Sequence, residues 1–148
     1  MMADDIKYMA LAINEAKKAQ RRDEVPVGAI IVRDGEVIAK AYNTREQGKN
    51  ALHHAEIKAI DKACKRLGGW RLVGCTMYVT LEPCPMCAGA IVNARIERVV
   101  YGAHDHKAGA FGTMINLTDY PLFKPQIEGG VLETECAQLL TTFFKAKR

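Results

Sequence analysis

Apolar residues at Ile6, Met9, Ala10, Ile13, Ala16 and Ala19 recur at the spacing of one helix face, so residues 5–20 are predicted to form an amphipathic helix led by acidic side chains. The apolar period then shortens. Residues 27–32 and 37–41 read as short strands, and Arg33-Asp34-Gly35-Glu36 between them contains the Asp-Gly step of a tight hairpin. A polar stretch over 43–50 leads to a second helix at 54–67, which Gly68-Gly69 terminates. Residues 76–81 read as a third strand. Pro83 and Pro85 bracket Cys84, and the small and apolar side chains of 86–94 continue as a helix starting near Pro85. A fourth strand at 98–102 is expected to run parallel to the third, because a helix crosses over between them. Residues 103–113 contain Gly109 and Gly112 with no apolar period, which marks a loop. A weak strand at 126–128 and a helix at 133–145, with Cys136, Leu139, Leu140, Phe143 and Phe144 on one side, complete the pattern. This order predicts an α/β fold, a five-stranded mixed sheet covered by helices on both faces in a three-layer α/β/α sandwich.

A length of 148 residues suits one domain spanning 1–148, with no repeat, linker or low-complexity tract to divide it. The longest apolar runs, 28–32 and 75–81, fall far short of the ~18 residues that a membrane span needs. Asp4 and Asp5 open an amphipathic pattern instead of the basic start and apolar core of a secretory signal. Five cysteines are an odd number, and only Cys84 and Cys87 are closely spaced, which argues against a secreted disulfide framework. The expectation is a soluble protein of the reducing cytoplasm. Lys and Arg outnumber Asp and Glu by 21 to 17, for a formal charge of +4. The excess is mild, and its placement near the ends of the first and last helices (Lys17, Lys18, Arg21, Arg22; Lys145, Lys147, Arg148) is also what helix dipoles favour.

The chemistry concentrates in two short segments. His54, Cys84 and Cys87 supply one imidazole and two thiols, the ligand count of an open catalytic zinc site with a fourth position for water. Cys84 and Cys87 are three apart, so on a first helical turn both sulfurs project from one face, where the helix N-terminus favours thiolates. His54 and Glu56 are two apart, a spacing that sends side chains to opposite sides of a regular helix. They can flank one site only if His54 belongs to the helix entry. Glu56 would then lie outside the coordination sphere as a proton carrier. A Cys-x-x-Cys pair alone also fits a structural zinc knuckle or a redox motif. A structural site would need a fourth ligand, however, and Cys64, Cys75 and Cys136 lie in apolar patterns; a redox pair has no use for His54 and Glu56. His53, His104 and His106 read as surface or loop histidines.

Together the His-x-Glu and Pro-Cys-x-x-Cys segments resemble the cytidine deaminase-like superfamily. Further segments resemble, more narrowly, its bacterial tRNA-specific adenosine deaminases. These are Glu24-Val25-Pro26-Val27-Gly28-Ala29, Asn43, His54-Ala55-Glu56, Glu82-Pro83-Cys84-Pro85-Met86-Cys87-Ala88-Gly89-Ala90 and Tyr101-Gly102-Ala103 with Asp105, Lys107, Gly109-Ala110 and Gly112. The resemblance implies hydrolytic deamination of the wobble adenosine to inosine in the anticodon stem-loop of a tRNA, usually an arginine tRNA. It implies one Zn2+ per chain on His54, Cys84 and Cys87, with Glu56 as the proton shuttle, in a homodimer. It also implies that Asn43 contacts the flipped nucleotide and Asp105 a flanking part of the loop, with Lys107 and the basic C-terminal helix on phosphates. Without the resemblance, Asn43 reads as a turn cap, Asp105 as a brace for its own loop and Lys107 as a solvated cation. The chain departs from the family at Asn50-Ala51-Leu52-His53, where Asp-Pro-Thr is frequent, and at Leu122-Phe123-Lys124, where an Asn is frequent. The competing readings are a free-base deaminase such as guanine deaminase, and a non-catalytic RNA-binding module stabilised by zinc.

Overall fold

Strand alternation divides the apolar side chains between two faces of one sheet, and each face acquires its own pair of helices. The structure, a computed structural model, describes residues 3–147, so Arg148 of the basic C-terminal cluster lies outside the described residues. In chain order the elements are α1 (Ala3–Arg21), β1 (Gly28–Arg33), β2 (Glu36–Tyr42), α2 (Ala55–Leu67), β3 (Cys75–Leu81), α3 (Pro85–Ala94), β4 (Arg98–Ala103), β5 (Gln126–Gly129) and α4 (Glu133–Ala146). A single 3-10 turn, Leu117–Asp119, precedes β5. The strands are ordered β2-β1-β3-β4-β5. β1 is antiparallel to both β2 and β3, whereas β3, β4 and β5 run parallel, so the sheet is mixed as the pattern predicted.

Ala29, Ile31, Met77, Val79, Val99 and Tyr101 face one way and pack with Ala55, Ala59 and Ala63 of α2 and Ala88 and Ile91 of α3. The alternate residues Ile30, Val32, Tyr78 and Val100 pack with Tyr8, Met9, Ala12 and Ile13 of α1 and with Cys136 of α4. Small side chains dominate α2, which lets it lie close on the sheet. Gly28 makes a similar close approach for α1. A Cβ there would fall 2.1 Å from the Ala12 carbonyl oxygen and 2.5 Å from the Ala16 nitrogen.

Two helix faces differ from the sequence pattern. In α1, Ile6 is 45% exposed and Ala10 is exposed, while Asp5, Tyr8, Ala12 and Glu15 turn inward. The cause lies at Asp5. Its carboxylate takes both guanidinium nitrogens of Arg98, at 2.8 and 2.7 Å, and the Tyr78 hydroxyl at 2.8 Å, and this rotates the buried face toward Asp5. In α4, Phe143 is buried but Phe144 points outward, because Leu139 and Leu140 already cover different clusters on either side of the sheet edge.

The hairpin turn follows the expected chemistry, with Asp34 at φ 51° and Gly35 at φ 74°. Gly68 ends α2 in the left-handed conformation at φ 75°, its N–H donating to the Cys64 carbonyl. At the opposite end of the sheet from the hairpin, β1 begins while β2, β3 and β4 end, with Gly28 paired to Tyr42 and Leu81 to Ala103. The loops leaving β2, β3 and β4 therefore converge on one spot, the carboxyl ends of the parallel strands where α/β sheets place their ligands.

Candidate active site

Two helix N-termini meet at this spot. His54 is the N-cap of α2, extended at φ −71° and ψ 154°. Cys84 is the N-cap of α3, at φ −74° and ψ 173°, with Pro85 as the first helical residue. Cys84 thus stands one residue ahead of the helical turn on which the spacing placed it, and Cys87 projects from that turn. Prolines on both sides hold Cys84 extended while α3 starts without a donor at Pro85. His54 Nδ1 lies 3.7 Å from Cys84 Sγ and 3.5 Å from Cys87 Sγ. All three ligand atoms fall within 4.8 Å of one another, a group able to hold a metal ion. Cys87 is buried, and the other two are half-buried.

Glu56, in the first turn of α2, is 4% exposed and lines the same pocket as His54 and Cys84. The extended backbone at His54 is what lets residues two apart face one site. Burial pushes the Glu56 carboxyl up to about 7, against its own backbone N–H and His54, which favour the charged form. The ligand groups titrate together. The hydrogen bond with Cys87 lowers the Cys84 thiol to about 4, against the opposing effect of burial, and His54 adds to the lowering. The same contact pushes Cys87 far up, and the Cys84 hydrogen bond raises His54. Only the Cys84 thiol is favoured as a thiolate in this arrangement; holding a metal through both sulfurs would require Cys87 to lose its proton as well.

The pocket measures about 190 Å³ and is lined by Val25, Val27, Asn43, Arg45, Ala55, Leu81, Glu82, Asp105 and Ala108 besides His54, Glu56 and Cys84. That is below the roughly 300–1,000 Å³ of sites for drug-sized ligands, which suits one planar base. Asn43 and Asp105 reach the wall and also serve the local roles their residue types suggest. Asn43 Oδ1 accepts from the Arg45 N–H at 3.2 Å, and its Nδ2 donates to the Val25 carbonyl. Asp105 Oδ1 accepts from the N–H groups of Lys107 and Ala108 at 2.9 and 3.1 Å. Lys107 is exposed on that turn and is not part of the wall.

Three residues given no individual role by the sequence reading belong to the surroundings. Arg45 is exposed and lines the mouth. Glu24, fully buried, accepts from the N–H groups of Glu46 and Gln47 at 3.0 and 2.7 Å and so braces the loop after β2. Glu82 does the same for the loop after β4. Glu82 directly follows β3, and Glu24 precedes the apolar Val25-Pro26-Val27 that leads into β1; an acidic residue at the edge of an apolar run was the available signal.

Residues 3–148 match the model of the MafB19-like deaminase family. The tRNA-specific adenosine deaminase of Bacillus subtilis (strain 168) is 54% identical over 99% of this chain and 92% of its own length. The chain belongs to the family of tRNA-specific adenosine deaminases. A structure from a study of A-to-I editing by tRNA:A34 deaminases superposes on this family member with a TM-score of 0.88, at 46% identity, covering 90% of this chain and 99% of that one. Guanine deaminase from Bacillus subtilis is more distant, with a TM-score of 0.65 and 32% identity over 78% of this chain and 83% of its own. The deaminase therefore has the cytidine deaminase-like fold that the element order and motifs led us to expect.

Proposed function

We propose that residues 1–148 act as one domain that hydrolyses the wobble adenosine of a tRNA anticodon loop, in an arginine tRNA, to inosine and ammonia. The carrying observation is the convergence of His54, Cys84 and Cys87 within 4.8 Å, beside buried Glu56 in a base-sized pocket. The greater similarity to adenosine than to guanine deaminases supports the choice of substrate.

The donor set fits zinc: one imidazole nitrogen and two sulfurs suit a borderline-soft ion and leave a fourth position open. The chemistry supplied by a zinc ion bound to these residues is Lewis-acid activation of water. Glu56 accepts the proton of the water whose oxygen bonds to adenine C6, and delivers it to ring N1. It then carries the second proton to N6 as the C6–N6 bond breaks and ammonia leaves. Asn43 in the pocket wall orients the flipped nucleotide, Asp105 meets a flanking part of the loop, and Lys107 and the C-terminal cations approach phosphates. The five free cysteines accord with a reducing cytoplasm. Among the described residues no helix is long and apolar enough to cross a membrane.

The same reading takes the protein as a homodimer. A groove of about 540 Å³ runs beside α3, lined by Leu52, Met86, Val92, Leu117, Tyr120 and Leu122 among others. Leu52 and Tyr120 are 55% and 52% exposed, an apolar surface of the kind that subunit contact covers. Incubation with an arginine tRNA, guanine and cytidine tests the substrate: inosine at the wobble position is expected. Ammonia release from guanine alone would overturn the reading.

A further inference from the structure

Glu82 is a charged side chain with 0% exposure, placed directly after β3 and two residues before Cys84. Its backbone N–H donates to the Ala103 carbonyl at 2.9 Å, which ties the end of β3 to the end of β4. The carboxylate itself is turned to the loop that follows β4. Oε1 accepts from the Asp105 N–H at 3.1 Å and from the Thr113 hydroxyl. Oε2 accepts from the N–H groups of Phe111 at 3.0 Å and Thr113 at 3.1 Å. These donors come from both ends of the segment 105–113, so one side chain closes the loop as a clasp would.

The chemistry of the side chain matters as much as its shape. Three backbone N–H groups and a hydroxyl all require acceptors, and a carboxylate offers acceptor capacity on both oxygens. A glutamine of the same shape would present an NH2 donor to some of those N–H groups and break the closure on that side. Gly109 completes the fit. A Cβ at that position would lie 2.5 Å from both Cδ and Oε1 of Glu82 and 2.6 Å from the Asp105 carbonyl oxygen, so the loop closes over the carboxylate only with glycine. The Ala110 N–H adds a bond of 2.9 Å to the carbonyl of Pro83, next to Cys84.

What the clasp holds is part of the pocket. Asp105 and Ala108 line the wall, and the side chain of Asp105 is locked to the backbone of Lys107 and Ala108, so this turn moves as one piece. We propose that Glu82 is a positioning residue: its buried carboxylate sets the 105–113 loop so that Asp105 stands in the pocket wall before the RNA arrives. The proposal rests on the reading of RNA deamination above. With no exposed side-chain surface, Glu82 acts on the substrate through Asp105.

A double-mutant cycle with an anticodon stem-loop RNA tests this, using Glu82→Gln, Asp105→Ala and their combination on the metal-loaded protein. Glu82→Gln is expected to weaken stem-loop binding and raise KM by about tenfold, with kcat within about threefold and zinc content unchanged. In the Asp105→Ala background the same substitution is expected to add less than about twofold. Gly109→Ala, which pushes on the carboxylate from the loop side while leaving it charged, is expected to reproduce the binding defect. Multiplying effects in the double variant, or loss of zinc with loss of kcat at unchanged KM, would overturn the proposal in favour of a purely structural role. If the wild type binds the stem-loop without deaminating it, the reaction assigned above falls while the binding cycle still decides the role of Glu82; if it does not bind, both fall.

Discussion

Glu56 and Glu82 are both buried glutamates lining one pocket, and their surroundings give them different work. Glu82 accepts from four donors of one loop, whereas Glu56, which meets its own backbone N–H and the Cys87 thiol, stands beside the His54, Cys84 and Cys87 group with its carboxyl raised by burial. A group that moves protons must not be committed to a fixed set of donors. Replacing Glu56 by Ala is therefore expected to lower wobble-adenosine deamination by at least ~100-fold while zinc stays near one per chain. Inosine quantification and metal analysis on the same preparation check both halves. Within each short segment, Cys84 with Cys87 and His54 with Glu56, the spacing is a local constraint and was legible in the sequence. That the two segments, 30 and 33 positions apart, would meet was suggested by the ligand count and the family resemblance, not by spacing. Glu24 and Glu82 were not legible as loop braces, because their partners lie 22 to 31 positions away and only the folded sheet brings them together. Asn43 and Asp105 carry the local capping roles their residue types suggest and also line the pocket.

The elements were the most readable level, since most helices and strands follow a period that the chain repeats; α3 was read from its prolines and small side chains, and the four-residue β5 showed only weakly. What the period could not reveal was which residues centre the buried face of α1. A bidentate Arg98–Asp5 pair outranks the exposure of one isoleucine, and no hydropathy pattern counts an aspartate as inward. Close packing of α1 on β1 gives a direct test. Gly28→Ala would drive a methyl into the Ala12 carbonyl and is expected to cost roughly 3 kcal/mol, read as a lower urea midpoint. Where α4 meets β4, burial pushes the Cys136 thiol up to about 12. The unfolded chain releases that proton near pH ~8.5. Between those values the folded state holds one proton more, so stability falls as pH rises through this window. Unfolding midpoints measured from pH 8 upward are expected to fall less steeply in Cys136→Ala than in the parent.

For the whole molecule, three strand ends and two helix N-termini converge at one end of the sheet, and under the proposed function that end meets a large, negatively charged RNA. RNA affinity is expected to fall with salt, with a log–log slope of about −0.9 per phosphate contact, or nearer −0.7 where the contacts are to single-stranded loop. Lys107→Ala is expected to make that slope shallower by about one contact; an unchanged slope would remove Lys107 from the interface. Arg45 lines the pocket, although it also pairs with its neighbour Glu46 at 3.8 Å, and Lys107 stands exposed on the turn held by Asp105, whereas Lys147 pairs with Asp23 away from the pocket lining. The apolar groove beside α3 is expected to be covered by a second copy. Light scattering that shows a monomer, or a dimer undisturbed by Leu52→Asp with Tyr120→Asp, would count against that arrangement. The hairpin at Asp34-Gly35 lies at the far end of the sheet, roughly 20 Å from the pocket along strands of six or seven residues, and beyond its two chain neighbours no atom lies within 4 Å of where a Gly35 side chain would begin. That turn is a handle. A dye, a surface tether or a second protein joined there would leave the reactive end facing outward, free to meet whatever strand is carried to it.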